Sequence, residues 1–225
     1  MPIYDWDFSV LLENKDILID GILMTFKILA FSLSISILVG IALGLLRSST
    51  LKILKIPAQI IIELVRSVPP LVLLVWAYYC LPILTGLALT EYWTCVFALG
   101  LYGSVFFAEI FRSGLQAVDR GMIEAALAIG MTPTQIFRRI IAPIAFLKIL
   151  PAFVGQCVMS IKNSVLGSYI AVGELLYEGS RLSTSTFRPL ETLTFVALFF
   201  VITILPLSLI MNWIERRTSS KYFQR

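Results

Sequence analysis

The stretch that decides the fold is Ile28–Leu46, ILAFSLSISILVGIALGLL, a run without a single charged side chain that is long enough to cross the hydrocarbon core of a bilayer as a helix. Ser67–Thr90, Tyr92–Ala108 and Thr192–Ile214 are equally free of charge and each reaches 17 residues or more. A fifth apolar stretch, about Ile144–Ile170, is interrupted only by Lys148 and Lys162. The sequence therefore predicts an all-α integral membrane protein with five transmembrane helices. The composition agrees. Of 225 residues, 58% are hydrophobic and 14% charged, against roughly 25% charged in a soluble domain.

Basic residues orient the spans, because short cytoplasmic loops retain them. Twelve of the 18 fall on one side: Arg47, Lys52 and Lys55 after the first span; Arg112, Arg120, Arg138, Arg139 and Lys148 between the third and fourth; Arg216, Arg217, Lys221 and Arg225 after the fifth. Lys15, Arg181 and Arg188 fall on the other. This places the N-terminus outside and the C-terminus inside. The first twenty residues carry Asp5, Asp7, Glu13, Asp16 and Asp20 against Lys15 alone, the reverse of a cleavable signal peptide, so the first span is expected to remain as an anchor. Beside those acids, Trp6 and Phe8 suit a short amphipathic segment at the outer interface or a disordered tail.

Several chemistries are excluded or disfavoured. There is no histidine, which removes His-based zinc sites and every Ser-His or Cys-His arrangement. Cys80, Cys95 and Cys157 lie in apolar stretches without CxxC spacing and read as small buried hydrophobes. No cluster of carboxylates or metal ligands suits a membrane-embedded enzyme, and neither a metal nor a nucleic acid is expected as a ligand. The absence of GxxxxGK[ST] means that the chain holds no usual nucleotide loop. Residues 1–225 read as one transmembrane domain, with no linker or repeat.

The longest connection lies inside, between spans three and four. Asp119–Arg139, DRGMIEAALAIGMTPTQIFRR, has a helix-turn-helix pattern. Glu124 to Ile129 favour helix, Gly130 stops it, and Thr132 caps a second helix with Pro133 at its first position. Met122, Ala125, Ala126 and Ile129 form an apolar face too short to cross a bilayer, which either packs on the protein's own inner surface or enters a partner's groove.

Candidate path residues follow from the cost of ionisable groups in a membrane, about 2.5 to 3.5 kcal/mol each. Glu63 and Arg66, spaced i, i+3, are expected to pair at the start of the second span, and Pro69-Pro70 to kink it. In the fourth span Gln156, Ser160, Asn163, Ser164 and Gly167 make a polar stripe with Lys162 beside it, which suits a cavity wall. Glu109 and Arg112 form another i, i+3 pair. Glu174, Glu178 and Arg181 are expected in an outer loop, where they either meet a soluble partner or are simply solvated.

Glu124-Ala125-Ala126, Gly130, Ile140 and Pro143 resemble the EAA motif of bacterial ABC importer permeases, with Ala142 where many members have Leu. Glu63 to Pro82, Ala108 to Gly130, Leu150 to Leu176 and the closing Trp213-Ile214-Glu215-Arg216-Arg217 resemble the polar amino acid subfamily, which takes up compounds of the histidine, glutamine, arginine and opine type. The resemblance covers nearly the whole chain. It implies the type I importer permease fold in a bacterial inner membrane, a second permease copy or homologue, two ATPase subunits and a soluble solute-binding protein. ATP and Mg would be bound by those ATPase partners, with no cofactor and no catalytic site in this chain. It also makes 119–143 a coupling loop, with Glu124, Ala125, Ala126, Gly130 and Pro143 as its docking residues. Glu63, Arg66, Gln156, Ser160, Lys162, Asn163 and Ser164 remain candidates for the substrate path. Where relatives often read Lys-Asp-Thr-Ser, this chain reads Lys162-Asn163-Ser164-Val165 and lacks the carboxylate. A passive channel accounts for the polar stripe equally well, but has no use for an ATPase dock.

Overall fold

The computed structural model describes the backbone of residues 4–222 and side chains as far as Met211. The described residues are helical without strands. They form α1 (Ser9–Glu13), α2 (Lys15–Ser48), α3 (Lys52–Ser67), α4 (Pro70–Tyr79), α5 (Leu81–Thr85), α6 (Glu91–Gln116), α7 (Arg120–Ala128), α8 (Pro133–Ile136), α9 (Ala142–Ser164), α10 (Leu175–Thr186) and α11 (Pro189–Tyr222). A π turn over Phe137–Ile141 joins α8 to α9, and a 3-10 turn over Val165–Ile170 extends α9.

Four helical segments are long and apolar enough to cross a membrane: Lys15–Ser48, Glu91–Gln116, Pro133–Ile170 and Pro189–Met211. The pair α3 and α4, bent by 99°, makes a fifth if the two together count as one crossing. That segment differs from its expected form. The sequence predicts one kinked helix over Ser67–Thr90. Instead, α3 ends at Ser67, Val68 and Pro69 are extended (φ −96°, ψ 131° and φ −59°, ψ 140°), and α4 starts afresh at Pro70. Each proline forces the residue before it out of the helical region, so two in sequence break the helix where one would bend it. The hydroxyl of Ser67 donates back to the Glu63 carbonyl (2.7 Å), within the last turn of α3.

The molecule is assembled around the contact of α2 with α6. Ser36 donates its hydroxyl to the Gly100 carbonyl at 2.9 Å, a side-chain bond between spans. Along the seam the glycines leave no room for a side chain. A Cβ on Gly103 would stand 2.3 Å from the Ser36 oxygen, one on Gly40 2.6 Å from Phe107, and one on Gly44 2.9 Å from the Ala108 carbonyl. Small residues at such contacts let backbones approach where lipid supplies no hydrophobic force to drive helices together. Against one half of this pair, Ala58 and Ile62 of α3 pack on Leu43, Val105 and Ala108. Against the other half, Leu74 of α4 packs with Ile28, Cys95, Ala98, Leu99 and Ile170.

Two external segments depart from expectation. The tail is fastened down: Tyr4 donates to Glu191 (2.6 Å), the Asp7 amide to the same carboxylate (3.0 Å) and Arg188 to the Asp5 carbonyl (2.7 Å), while Trp6 and Phe8 stack. The region after span four is a packed helix. Leu175 and Leu182 of α10 join Leu18 and Val196 in one apolar cluster. Glu174, expected in a loop, is fully buried and caps α10 by accepting the Leu176 and Tyr177 amides at 2.9 and 2.8 Å. The basic residues Arg216, Arg217 and Lys221 have no described side chains, and Arg225 lies outside the described residues.

Replacing Gly103 with Leu should prevent α2 and α6 from closing and abolish recovery of folded protein, read as loss of the monodisperse peak in detergent. Burial pushes the Glu174 carboxyl up to about 7 from its ordinary 4.5, against the opposing pull of its two amide donors. A carboxyl raised on folding adds stability that is full below about pH 4.5 and lost as pH rises through about 7, a span worth about 3 kcal/mol. The melting temperature should therefore fall between pH 5 and 8, and Glu174→Gln, which keeps an acceptor oxygen for the cap, should flatten that profile.

Candidate functional site

The inner loop is built by local capping. Asp119 accepts the Gly121 amide at 2.7 Å and starts α7. At its other end the Gly130 amide donates to Leu127 (3.0 Å) and the Met131 amide to Ala126 (3.1 Å), with Gly130 at φ +80°. That pattern is a Schellman stop, which needs a left-handed residue at this position. A Cβ on Gly130 would meet nothing within 4 Å, so glycine is required here by backbone conformation and not by space. Thr132 and Gln135 then form a reciprocal capping box, with Pro133 at the first helical position.

The apolar face of α7 is mostly bare. Ala126 is buried, whereas Met122 and Ile129 are 47% and 78% exposed and Ala125 is exposed beside them. Of the two placements the pattern allows, packing on the protein's own inner surface accounts for Ala126 alone. Glu124 is also exposed and has no hydrogen-bond partner among the described residues, since Asp119 is the cap.

Pro143 has a structural role that the sequence alone did not suggest. It lacks the N–H that would reach the Arg139 carbonyl four residues back, and its ring crowds that carbonyl. The chain widens here into the π turn, in which the Ala142 amide bonds to Phe137. Such single wide turns recur at functional positions. The turn leaves α8 and α9 as one continuous rod, so the second helix of the loop is the inner end of the fourth span. The signal for it was a proline ten residues after Pro133 in a run otherwise made for helix.

On α9, the stripe is only partly available. Ser160 donates to Gln156 (3.0 Å) and Ser164 to Ile161 (2.8 Å), so both hydroxyls are spent on their own helix, and Ser164 is fully buried. Gln156 and Asn163 are half-buried and Lys162 is exposed; among the described residues none of the three has a side-chain partner. Lys162 points away from the stripe, at about −120° from Gln156 by helical periodicity.

Glu63 and Arg66 do not pair with each other. Glu63 meets Arg47 of α2 at 3.5 Å, and the Arg66 guanidinium lies 5.7 Å over the Phe106 ring. They are exposed on α3, which packs on α2 and α6, whereas α9 packs on α6, α11 and α2. Within one chain the two candidate groups are therefore not brought to a common surface. The Glu109–Arg112 pair forms as expected at 3.0 Å, and Arg47 joins it by bonding to Glu109.

Residues 36–221 match the family described as binding-protein-dependent transport system inner membrane component. Among curated proteins, the probable glutamine ABC transporter permease protein GlnM of Bacillus subtilis (strain 168) is 32% identical over 95% of this chain and 99% of its own length. The octopine transport system permease protein OccM of Rhizobium meliloti is 34% identical, covering 84% and 78%. Of solved structures, a crystal structure of an amino acid ABC transporter with histidines superposes with a TM-score of 0.86 at 31% identity, over 95% of this chain and all of that one. A chain of the methionine transporter MetNI in an inward-facing conformation shares the fold with a TM-score of 0.69 at 22% identity.

Replacing Pro143 with Ala should let the π turn relax to α-helix and rotate α7 and α8 against α9 by about 100°, one helical residue. The change should appear as altered cysteine accessibility at position 129 with insertion unaffected. The match over most of the chain, together with this helical architecture, makes the protein a member of the binding-protein-dependent transport system inner membrane components.

Proposed function

We propose that the chain is the permease subunit of an ATP-driven importer of polar amino acids or close relatives, forming half of the translocation path and docking separate ATPase subunits through α7. The observation that carries this reading is the exposed apolar face of α7, closed off by the Gly130 stop and joined through a π turn to the helix bearing the polar stripe. A short amphipathic helix with its apolar residues in solvent needs a groove to enter. Two ATPase subunits, binding ATP and Mg, would supply that groove; this chain would hold no cofactor and catalyse no reaction itself.

The substrate class draws support from the relatives, whose names specify glutamine and octopine. The half-buried amides of Gln156 and Asn163 offer donors suited to a carboxylate and a polar side chain, with Ser160 backing them from its bond to the Gln156 carbonyl and Lys162 on the neighbouring face of the same helix. Ser164 would act from behind, holding the end of α9. With Asn163 where a carboxylate is frequent, the path has one fewer group for a cationic amine, which favours substrates whose side chains are neutral. Glu63 and Arg66 on α3 would line the inner part. A second permease, identical or homologous, completes the path in this reading, because one chain leaves the two groups on separate surfaces. The solute-binding protein would deliver substrate at the outer face, with the N-terminus outside and residues 1–225 acting as one domain.

The test is reconstitution of the complex in proteoliposomes with glutamine and arginine as probes. Glu124→Lys and Gly130→Asp should each insert normally but lose ATPase association and ATP-dependent uptake by an order of magnitude or more. Wild-type uptake in both variants would overturn the coupling assignment, and uptake that needs no ATP would make the protein a channel.

A further inference from the structure

The arginine at the end of α2 does more than terminate a span. Its guanidinium is forked between two carboxylates on different helices, Glu109 of α6 and Glu63 of α3. On the far side of Glu109, Arg112 bonds to the carboxylate at 3.0 Å and in turn to Gln116. From α9, Lys148 donates to the Ala117 carbonyl, and Ile149 fills the space that a side chain on Gly114 would need. The inner end of α6 is thus fastened to α9 on one side and to α2 on the other, and it runs into α7 after only three residues.

For α3 the situation is different. Among the described residues its single ion pair is the one to Arg47. Its other attachments are the apolar packing of Ala58 and Ile62 and the Arg66 guanidinium over the Phe106 ring of α6, and its far end is the extended break at Val68 and Pro69. The two arms of Arg47 are also unequal. Arg47 and Glu109 have side chains only 15% and 21% exposed, whereas Glu63 is 55% exposed and sits at 3.5 Å. A partly desolvated, charge-assisted contact holds firmly, so Arg47 moves with Glu109, and its weaker, solvated contact to Glu63 adds to the packing that carries α3 with them.

We infer that Arg47 is a positioning residue which makes α3 follow the inner end of α6 during transport, with the break before α4 as the joint about which α3 turns. The inference rests on the importer reading and adds a polar link to it: as movement is received at α7, the Arg47 guanidinium joins the helix that bears Glu63 and Arg66 to the inner end of α6. Lysine cannot replace it, because an ammonium reaches one carboxylate or the other but lacks the planar fork that spans both.

Two measurements test this. In the reconstituted complex, with glutamine and arginine as probes, Arg47→Ala and Arg47→Lys should hydrolyse ATP with unchanged KM for substrate while moving at least about fivefold less substrate per ATP. Unchanged uptake per ATP in Arg47→Ala overturns the inference. In the complex with Cys80, Cys95 and Cys157 replaced, spin labels at positions 59 and 113 should give one narrow distance distribution with and without nucleotide. Arg47→Ala should broaden it, and Arg47→Lys should do so without loss of folded protein. A distribution as narrow in both variants as in the parent overturns the inference as well. If the parent complex takes up neither probe with ATP, the importer reading fails for these substrates, and the label distances alone decide whether Arg47 holds α3 to α6.

Discussion

Everything in the molecule depends on how closely α2 can approach α6. In a bilayer the apolar side chains of a helix are as well solvated by lipid as by protein, so association relies on packing and on the few polar groups that find partners. The seam meets both needs. Glycine at positions 40, 44, 100 and 103 brings backbone against side chain or backbone, and Ser36 places its hydroxyl on the opposing helix. On that base the half at Leu43 and Val105 carries α3, the half at Ile28 and Cys95 carries α4, and α9 closes the side. By contrast α11 touches chiefly α9 and α10, and only 6% of its spanning window is buried.

The interrupted second span and the wide turn before α9 share one cause. Proline withdraws a donor and fixes a torsion, and the neighbouring residues decide how the chain accommodates the loss. A second proline at position 70 gives a full break with two extended residues; a lone proline at 143, within a sequence otherwise disposed to helix, gives a π turn that keeps the rod intact. Irregular backbone at membrane depth persists only where it is buried in protein or borders water. A break between α3 and α4 therefore has to face protein or water instead of lipid.

Much of this was legible in the sequence because the responsible physics is local. Charge-free runs marked three of the four long apolar helices, and glycine, threonine and proline at 130, 132 and 133 gave the turn between α7 and α8 through a torsion and a cap confined to a few residues. The helix α3 was harder to see. Its charges at Lys52 and Lys55 read as the connection after the first span and Glu63 and Arg66 as the start of the second, yet Ile53, Ile56, Ile60 and Leu64 recur with helical spacing on an adjacent face and are all exposed. The Glu63–Arg66 pairing failed for a related reason: spacing says which groups can meet on one helix but not that Arg47 of another helix competes for the same carboxylate. Burial of Glu174 likewise depends on α2 and α6 arriving beside it, which no window of sequence around residue 174 records.

The continuity of Pro133–Ile170 across 38 residues bears on how such a chain can change over generations. Along a rod without a flexible joint, adding or removing one residue turns everything beyond it by about 100° and misplaces either the cap at Thr132 or the far end at Ile170. Substitutions should accumulate freely there while insertions and deletions are eliminated. The exception is the π turn at Phe137–Ile141, which already holds a residue more than an α-helical turn over the same rise. A deletion there would tighten it to α-helix and leave both ends in place, so homologous chains that differ in length within the rod are expected to differ at that turn.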